Sequence, residues 1–245
     1  MVAPLCIGTA GWRLPKRHHH LFPTEGSHLE RYAGRFPAVE INSSFYRPHR
    51  RATWERWGGS VPPSFRFSAK TPRTLTHDRR LTDPEPLLDE FLADVAGLGD
   101  RLGCLLVQMP PSLAFDARIA GRFFGAFRER CSVPIAAEPR HVTWFAPEAE
   151  ALLVAHRVGR VAADPVCAPG ADEPAGWPGT VYYRLHGSPR MYYSDYDAPY
   201  LQALAERLDR ARQRADVAGP VWCIFDNTAL DAATENAAAV LAILE

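Results

Sequence analysis

Short runs of β-forming residues recur eight times along the chain, and most are followed by segments whose apolar residues return at three- and four-residue spacing. The runs are LCIGT (5–9), AVEIN (38–42), FRFSA (65–69), GCLLVQ (103–108), PIAAE (134–138), RVAAD (160–164), TVYYRLH (180–186) and VWCIFDN (221–227). Their length and composition predict strands. Between them LERYAGRF, TWERW, PEPLLDEFLADVAGL, DARIAGRFFGAFRER, APEAEALLVAHR, DAPYLQALAERLDRARQR and ALDAATENAAAVLAIL predict helices with one apolar stripe. The helix after strand two is expected to be short. The one after strand six is expected to be short or missing, because CAPGADEPAGWPG reads as a loop. Eight strand–helix units in a chain of 245 residues predict an α/β protein, a single (β/α)8 TIM barrel that takes up residues 1–245 as one domain. A doubly wound open sheet is the alternative.

Alternation within each strand predicts which side chains point inward. Strand two sets Val39 and Ile41 on the helix-facing side and Glu40 and Asn42 on the other. The same test turns Ser68, Lys70, Gln108, Glu138, Asp164, Tyr182, Arg184 and His186 inward. Strands two to seven therefore end on inward polar residues, at the end where barrel enzymes carry their chemistry. A purely structural reading is also open: Glu40, Arg66, Glu138 and Arg184 as interior ion pairs. Glu138→Gln separates the two, since stranding a buried partner costs about 3 kcal/mol or more.

Composition narrows the class. Hydrophobic residues make up 47% and charged residues 23%, which suits a full core. No run approaches roughly 18 uninterrupted apolar residues, so no membrane span is expected. The first residues lack the pattern of a signal peptide. Five cysteines occur with no CxxC pair, which fits buried thiols in a reducing cytoplasm. Residues 1–80 hold 14 of the 28 basic but only 5 of the 28 acidic side chains, and the rest of the chain carries the compensating acidic excess. Arg13, Lys16, Arg17, Arg47, Arg50, Arg51, Lys70, Arg73, Arg79 and Arg80 fall in three neighbouring loops on the expected active face. They predict an anion site, with Phe45, Tyr46 and Trp54 available for stacking.

The chemistry has several open forms. Glu40, Glu138, Asp164 and His186, with Asp226 as an outlier in parity, are candidate ligands for Mg²⁺, Mn²⁺ or Zn²⁺. Without a metal, Glu138 or Asp164 serves as general base and His186 or His141 as proton shuttle. Lys70 serves either as a Schiff-base amine or as a phosphate contact. In EPRHVTW (138–144), Pro139 ends the strand and turns Arg140 and His141 over the pocket, with Trp144 covering the floor beside them.

GTAGW, EINSSFY, FRFSAKTPRTLTH, LLVQMPPSLAF, EPRHVTW, YYRLHG and FDNTALDAATENA, in that order, resemble the YecE-like family, a domain of unknown function numbered seventy-two. The resemblance covers nearly the whole chain. It implies a TIM-barrel fold and no established activity, cofactor or substrate. It places Glu40, Asn42, Tyr46, Lys70, His77, Gln108, Glu138, Arg140, His141, Trp144, Arg184, His186, Gly187, Asn227, Thr228 and Asn236 in motif positions. Asp226 stands where the family motif often shows Asn, which assigns it no catalytic role.

The expected catalytic set is Glu138, Asp164, His186 and Glu40. The expected substrate-binding set is Asn42, Tyr46, Lys70, His77, Gln108, Arg140, His141, Trp144, Arg184 and Asn227. The expected function is acid–base chemistry, of hydrolase or isomerase type, on a small anionic, phosphorylated sugar- or nucleotide-like substrate. Nucleic-acid binding or processing is one alternative, and a non-catalytic ligand-binding barrel is another. The oligomeric state stays open.

Overall fold

All eight predicted strands form. The computed structural model of the protein describes residues 2–214, 216–217 and 219–245. Five strands come first: β1 (Leu5–Thr9), β2 (Ala38–Ile41), β3 (Arg66–Lys70), β4 (Leu102–Gln108) and β5 (Ile135–Glu138). The sixth predicted strand is divided into β6 (Val158–Arg160) and β7 (Ala162–Asp164). Then follow β8 (Ala175–Gly176), β9 (Val181–Leu185) and β10 (Val221–Phe225). The helices are α1 (His28–Ala33), α2 (Arg51–Gly59), α3 (Glu85–Val95), α4 (Ala117–Arg130), α5 (Pro147–Ala155), α6 (Ala198–Gln213) and α7 (Ala232–Leu244). The helix after strand two has nine residues, and the shortest is α1 with six. After β7 the described chain forms no helix before β9; the two-residue β8 turns back antiparallel onto β6 instead.

The strands make two sheets, ordered β1-β10-β9-β7 and β2-β3-β4-β5-β6-β8, parallel except at β8. They meet at two seams. At one, a single residue separates β6 from β7: Val161 N–H still donates to Ala137 at 2.9 Å, while Ala162–Asp164 have turned to pair with β9. At the other, β1 and β2 share only the bridge between Ala10 and Glu40. A closed ladder around one barrel is thus not what the described residues form, and β1 shows why. Tyr32 of α1 pushes its hydroxyl between the strands, accepting from Thr9 N–H at 2.8 Å and donating to Ala38 C=O at 3.2 Å. It occupies groups that a ladder would pair. Gly8 makes the approach sterically feasible, because a Cβ there would lie 1.9 Å from the Ala38 oxygen.

Helix sequences explain the outer packing. Asp116 caps α4 by accepting from Ile119 N–H at 2.9 Å, and Ala120, Phe123, Phe124 and Phe127 form its buried stripe. Each buried Phe contributes about 1.5–3 kcal/mol of transfer free energy. A second core lies on the inner side and draws on both sheets: Cys6, Ala38, Cys104, Leu106, Ala136, Val161, Ala163, Tyr182, Trp222 and Ile224. No helix among the described residues is long and apolar enough to cross a membrane.

Candidate functional site

The inner apolar cluster stops short of the strand C-termini, and there the same inner face turns polar. Arg184 on β9 occupies the centre and is fully buried. Its Nε and Nη2 donate to the two Glu40 oxygens at 2.9 and 2.7 Å, a bidentate fork. Nη1 donates to Glu138 Oε2 at 3.1 Å, and Nη2 lies 2.9 Å from Asp226 Oδ2. Tyr182, two residues earlier on β9, donates to Glu40 at 2.9 Å. His186, two residues later, lies between two carboxylates: Nδ1 is 3.0 Å from Asp226 Oδ2 and Nε2 is 2.9 Å from Glu138 Oε1. A neutral imidazole can donate to only one of them.

Arg140 reaches back from beyond Pro139, and its Nη2 contacts both Glu138 and His186. Its Nε is buried without a partner among the described residues. Burial by itself would raise the Glu138 carboxyl pKa. The opposing pull of Arg140, Arg184 and His186 wins and holds it well below the usual carboxylate range. Asp226 follows the same pattern, with Arg184 and His186 outweighing burial. Burial opposes the charge on Arg184, but Asp226, Glu40 and Glu138 raise its pKa well above the ordinary value.

Lys70 ends β3 and is buried. Its Nζ donates to Asn42 Oδ1 at 3.2 Å and sits 4.1 Å from the Phe45 ring centre. Burial, then Arg184, lower its pKa to about 8. The chain has only two lysines, Lys16 and Lys70, so this amine stands alone among guanidinium groups that cannot release a proton at these pH values. The expected result is a Cε NMR titration of Lys70 with a midpoint near 8. Between that midpoint and the unfolded lysine value of about 10.4 the unfolded chain binds more protons, so this residue makes stability rise with pH there. Below pH 8 its burial cost is fully present. A Lys70 midpoint above about pH 10 would show that the amine is not desolvated.

Several expectations need correcting. Asp164 does not join the cluster. Val161 and Ala163 belong to the inner core and Ala162 to the outer one, so Asp164 has outward parity. Its carboxylate accepts from Tyr196 OH at 2.7 Å instead. Asp226, set aside as out of parity, continues the inner alternation of Trp222 and Ile224 and is part of the cluster. Trp144 is a fully buried core residue whose indole donates to Leu113 C=O at 2.9 Å. Asn227 is also fully buried and holds a loop, donating to Ser194 C=O at 3.0 Å and Asn236 Oδ1 at 2.8 Å. His141 accepts from Thr143 N–H and caps the turn after β5. His77 packs its edge on Phe45, and burial followed by Lys70 lowers its pKa. Tyr46 is 73% exposed. Gln108 pairs in register with Glu138.

The metal expectation for Glu40, Glu138, Asp164 and His186 does not survive this geometry. Arginine and tyrosine donors take the Glu40 oxygens, Asp164 faces elsewhere, and no set of three such side chains among the described residues is placed to hold an ion. The predicted arginine cluster is also partly spent. Arg13 pairs with Asp231, Arg51 with Glu55 and Arg73 with Asp78, while Arg17 and Arg80 donate to the carbonyls of Leu230 and Ser112.

One residue of the site went unassigned. Tyr192, from YYSDY, sets its ring perpendicular to His186 with centroids 5.7 Å apart. Its φ of 70° is unusual for a side chain this large. Asn236 holds the loop by donating to Asp195 at 2.6 Å, together with Asn227. The doubled Tyr within a turn-rich segment was the available signal.

Comparison with known proteins gives the family. The family model described as "Protein of unknown function DUF72" matches residues 6–245. The chain belongs to the DUF72 family. Among curated relatives, the UPF0759 protein YunF of Bacillus subtilis is 26% identical over 150 residues, 58% of this chain and 52% of that protein. The UPF0759 protein YecE of Escherichia coli is 34% identical over 82 residues, 34% of this chain and 30% of that protein. The matches thus span about half or less of these relatives. A DUF72 family crystal structure from Thermotoga maritima superposes with a TM-score of 0.78 at 23% identity, covering 98% of this chain and 99% of the other. One from Enterococcus faecalis gives 0.78 at 20% identity, covering 98% and 95%. These structures share the DUF72 fold with this chain, an α/β fold built here on parallel sheets.

Proposed function

We propose that the two sheets act as one (β/α)8 barrel, that residues 1–245 make a single domain, and that the strand C-termini form the mouth of an active site. The substrate is a small anion, a phosphorylated sugar- or nucleotide-like molecule, and the chemistry is acid–base, of isomerase or hydrolase type. The observation that carries the reading is Arg140: its Nη2 is held by Glu138 and His186 while its buried Nε has no partner among the described residues. A buried donor of this kind is costly unless something accepts from it. Lys70 adds spare ammonium protons, and with a pKa of about 8 it also supplies a base near neutral pH. His186, between Asp226 and Glu138, is the proton relay. Placing this many buried charges where Val, Ile and Leu would pack more simply favours function over scaffold. The unpaired cysteines fit a reducing cytoplasm.

Thermal melts with inorganic phosphate test the reading. At about 100-fold over its Kd the anion adds about 2.7 kcal/mol, which should raise the melting temperature of a chain this size by about 5–10 °C. Arg140→Met should abolish the rise. An equal rise in Arg140→Met would sink the proposal. Tight, steeply salt-dependent oligonucleotide binding without any response to free phosphate would replace it with the nucleic-acid reading.

A further inference from the structure

Outside the charged cluster, a cavity of about 290 Å³ opens between α3 and the turns that follow β2 and β3. Helical spacing places Leu87, Glu90, Phe91 and Asp94 on the one face of α3 that lines it. Phe45, Trp54 and Phe91 give it a buried aromatic floor, and Tyr46 stands exposed at its edge. The indole N–H of Trp54 is already spent on the His49 carbonyl at 2.9 Å, so that ring contributes apolar surface.

The charges around this floor are uneven. Asp78 is neutralised by Arg73 at 3.1 Å. Among the described residues neither Glu90 nor Asp94 has a basic partner within ion-pair distance, and Arg47 has no acidic one. Two free carboxylates on one helix face therefore oppose one free guanidinium. Aromatic faces add to the same preference, since their negative quadrupole attracts cations. Phe45 illustrates it, because its ring already carries the Lys70 ammonium at 4.1 Å. Burial, then Arg47, lower the pKa of His49, so the imidazole on this wall tends to stay neutral.

We propose that this cavity is a binding site for a small organic cation with an aryl body. The ring lies against Tyr46, Phe45 and Phe91, and the ammonium is held between Glu90 and Asp94. The site is separate from the proposed active site and does not depend on that reading.

Two probes of matched shape and opposite charge test it by calorimetric titration of the full chain: benzyltrimethylammonium and benzylsulfonate. The cation should bind saturably and the sulfonate should not. Glu90→Gln combined with Asp94→Asn should weaken the cation by about tenfold, the sum of two modest ion pairs. Tyr46→Ala, an exposed position, should weaken it severalfold and provides a second variant that leaves the core intact. Absence of saturable heat with the cation, equal affinity for the sulfonate, or affinity unchanged in both variants would each overturn the proposal.

Discussion

Arg184→Met should destabilise the protein by about 3–5 kcal/mol, because it leaves buried carboxylates without their cation. Arg184 alone spans Glu40, Glu138 and Asp226, with contacts of 2.7 to 3.1 Å to the three. Lys70 and Arg140 remain in the mutant, but among the described residues the one carboxylate that either contacts is Glu138, through Arg140. Glu40 then loses both fork bonds while staying fully buried. At about 2–4 °C per kcal/mol for a chain of this size, the melting temperature should fall by about 6–20 °C. Arg184→Lys should be intermediate: it restores the charge but cannot reach three carboxylates from one planar fork. The pH dependence has a definite sign. Glu138 and Asp226 have folded pKa values below their unfolded ones. The stability they contribute is therefore present above about pH 4 and is lost as the pH falls through the folded values. The gap between wild type and Arg184→Met should be wide at pH 7 and should narrow in acid. Urea titrations at both pH values measure it, and a mutant within about 1 kcal/mol of wild type at pH 7 would show that the cluster is not a buried ion network.

Most of the cluster was legible from alternation alone. Glu40, Lys70, Glu138, Arg184 and His186 each sit on a strand whose opposite face is apolar, so the polar face could be read without knowing the fold. The failures have local causes. In β10, Val221 to Phe225 are apolar on both faces, so Asp226 follows a run with no alternation to continue. In the sixth strand the alternation runs unbroken, Val158 and Ala162 outward and Val161 and Ala163 inward, so Asp164 falls on the outward face. Ala162 and Ala163 are alike, and nothing in RVAAD marks which face is the inner one. The open seam between β1 and β2 depends on Tyr32, a helix residue whose hydroxyl acts across 23 positions of sequence. Trp144 and Asn227 sit in motifs with chemically suggestive side chains, yet their partners are the carbonyls of Leu113 and Ser194. Main-chain acceptors leave no trace in side-chain identity.

Glu138→Gln carries the second large effect, and the geometry changes what it should do. A central catalytic carboxylate would tolerate Gln, with its shape preserved. Here Glu138 is fully buried and contacts Arg184, His186 and Arg140. An amide offers one acceptor oxygen where the carboxylate offered two, so its NH₂ either faces a guanidinium, donor against donor, or turns to His186 Nε2, and in both cases a buried arginine loses an acceptor. The expected cost is about 3 kcal/mol or more, in the range for one partner removed from a buried pair. Anion binding should fall with it, since Arg140 is held in place by Glu138. Arg140→Met gives the contrast. It leaves Glu138 bonded to Arg184 and His186, and it removes a side chain that lies at the edge of the cluster with 7% of its surface exposed. Its stability cost should stay near 1 kcal/mol while phosphate binding is lost. The two melts, read beside the two phosphate titrations, separate scaffold from contact: Glu138 holds the site together and Arg140 meets the ligand. If Glu138→Gln melts within about 2 °C of wild type, Glu138 is not ionised in the folded protein, and the network described around it is wrong at its centre.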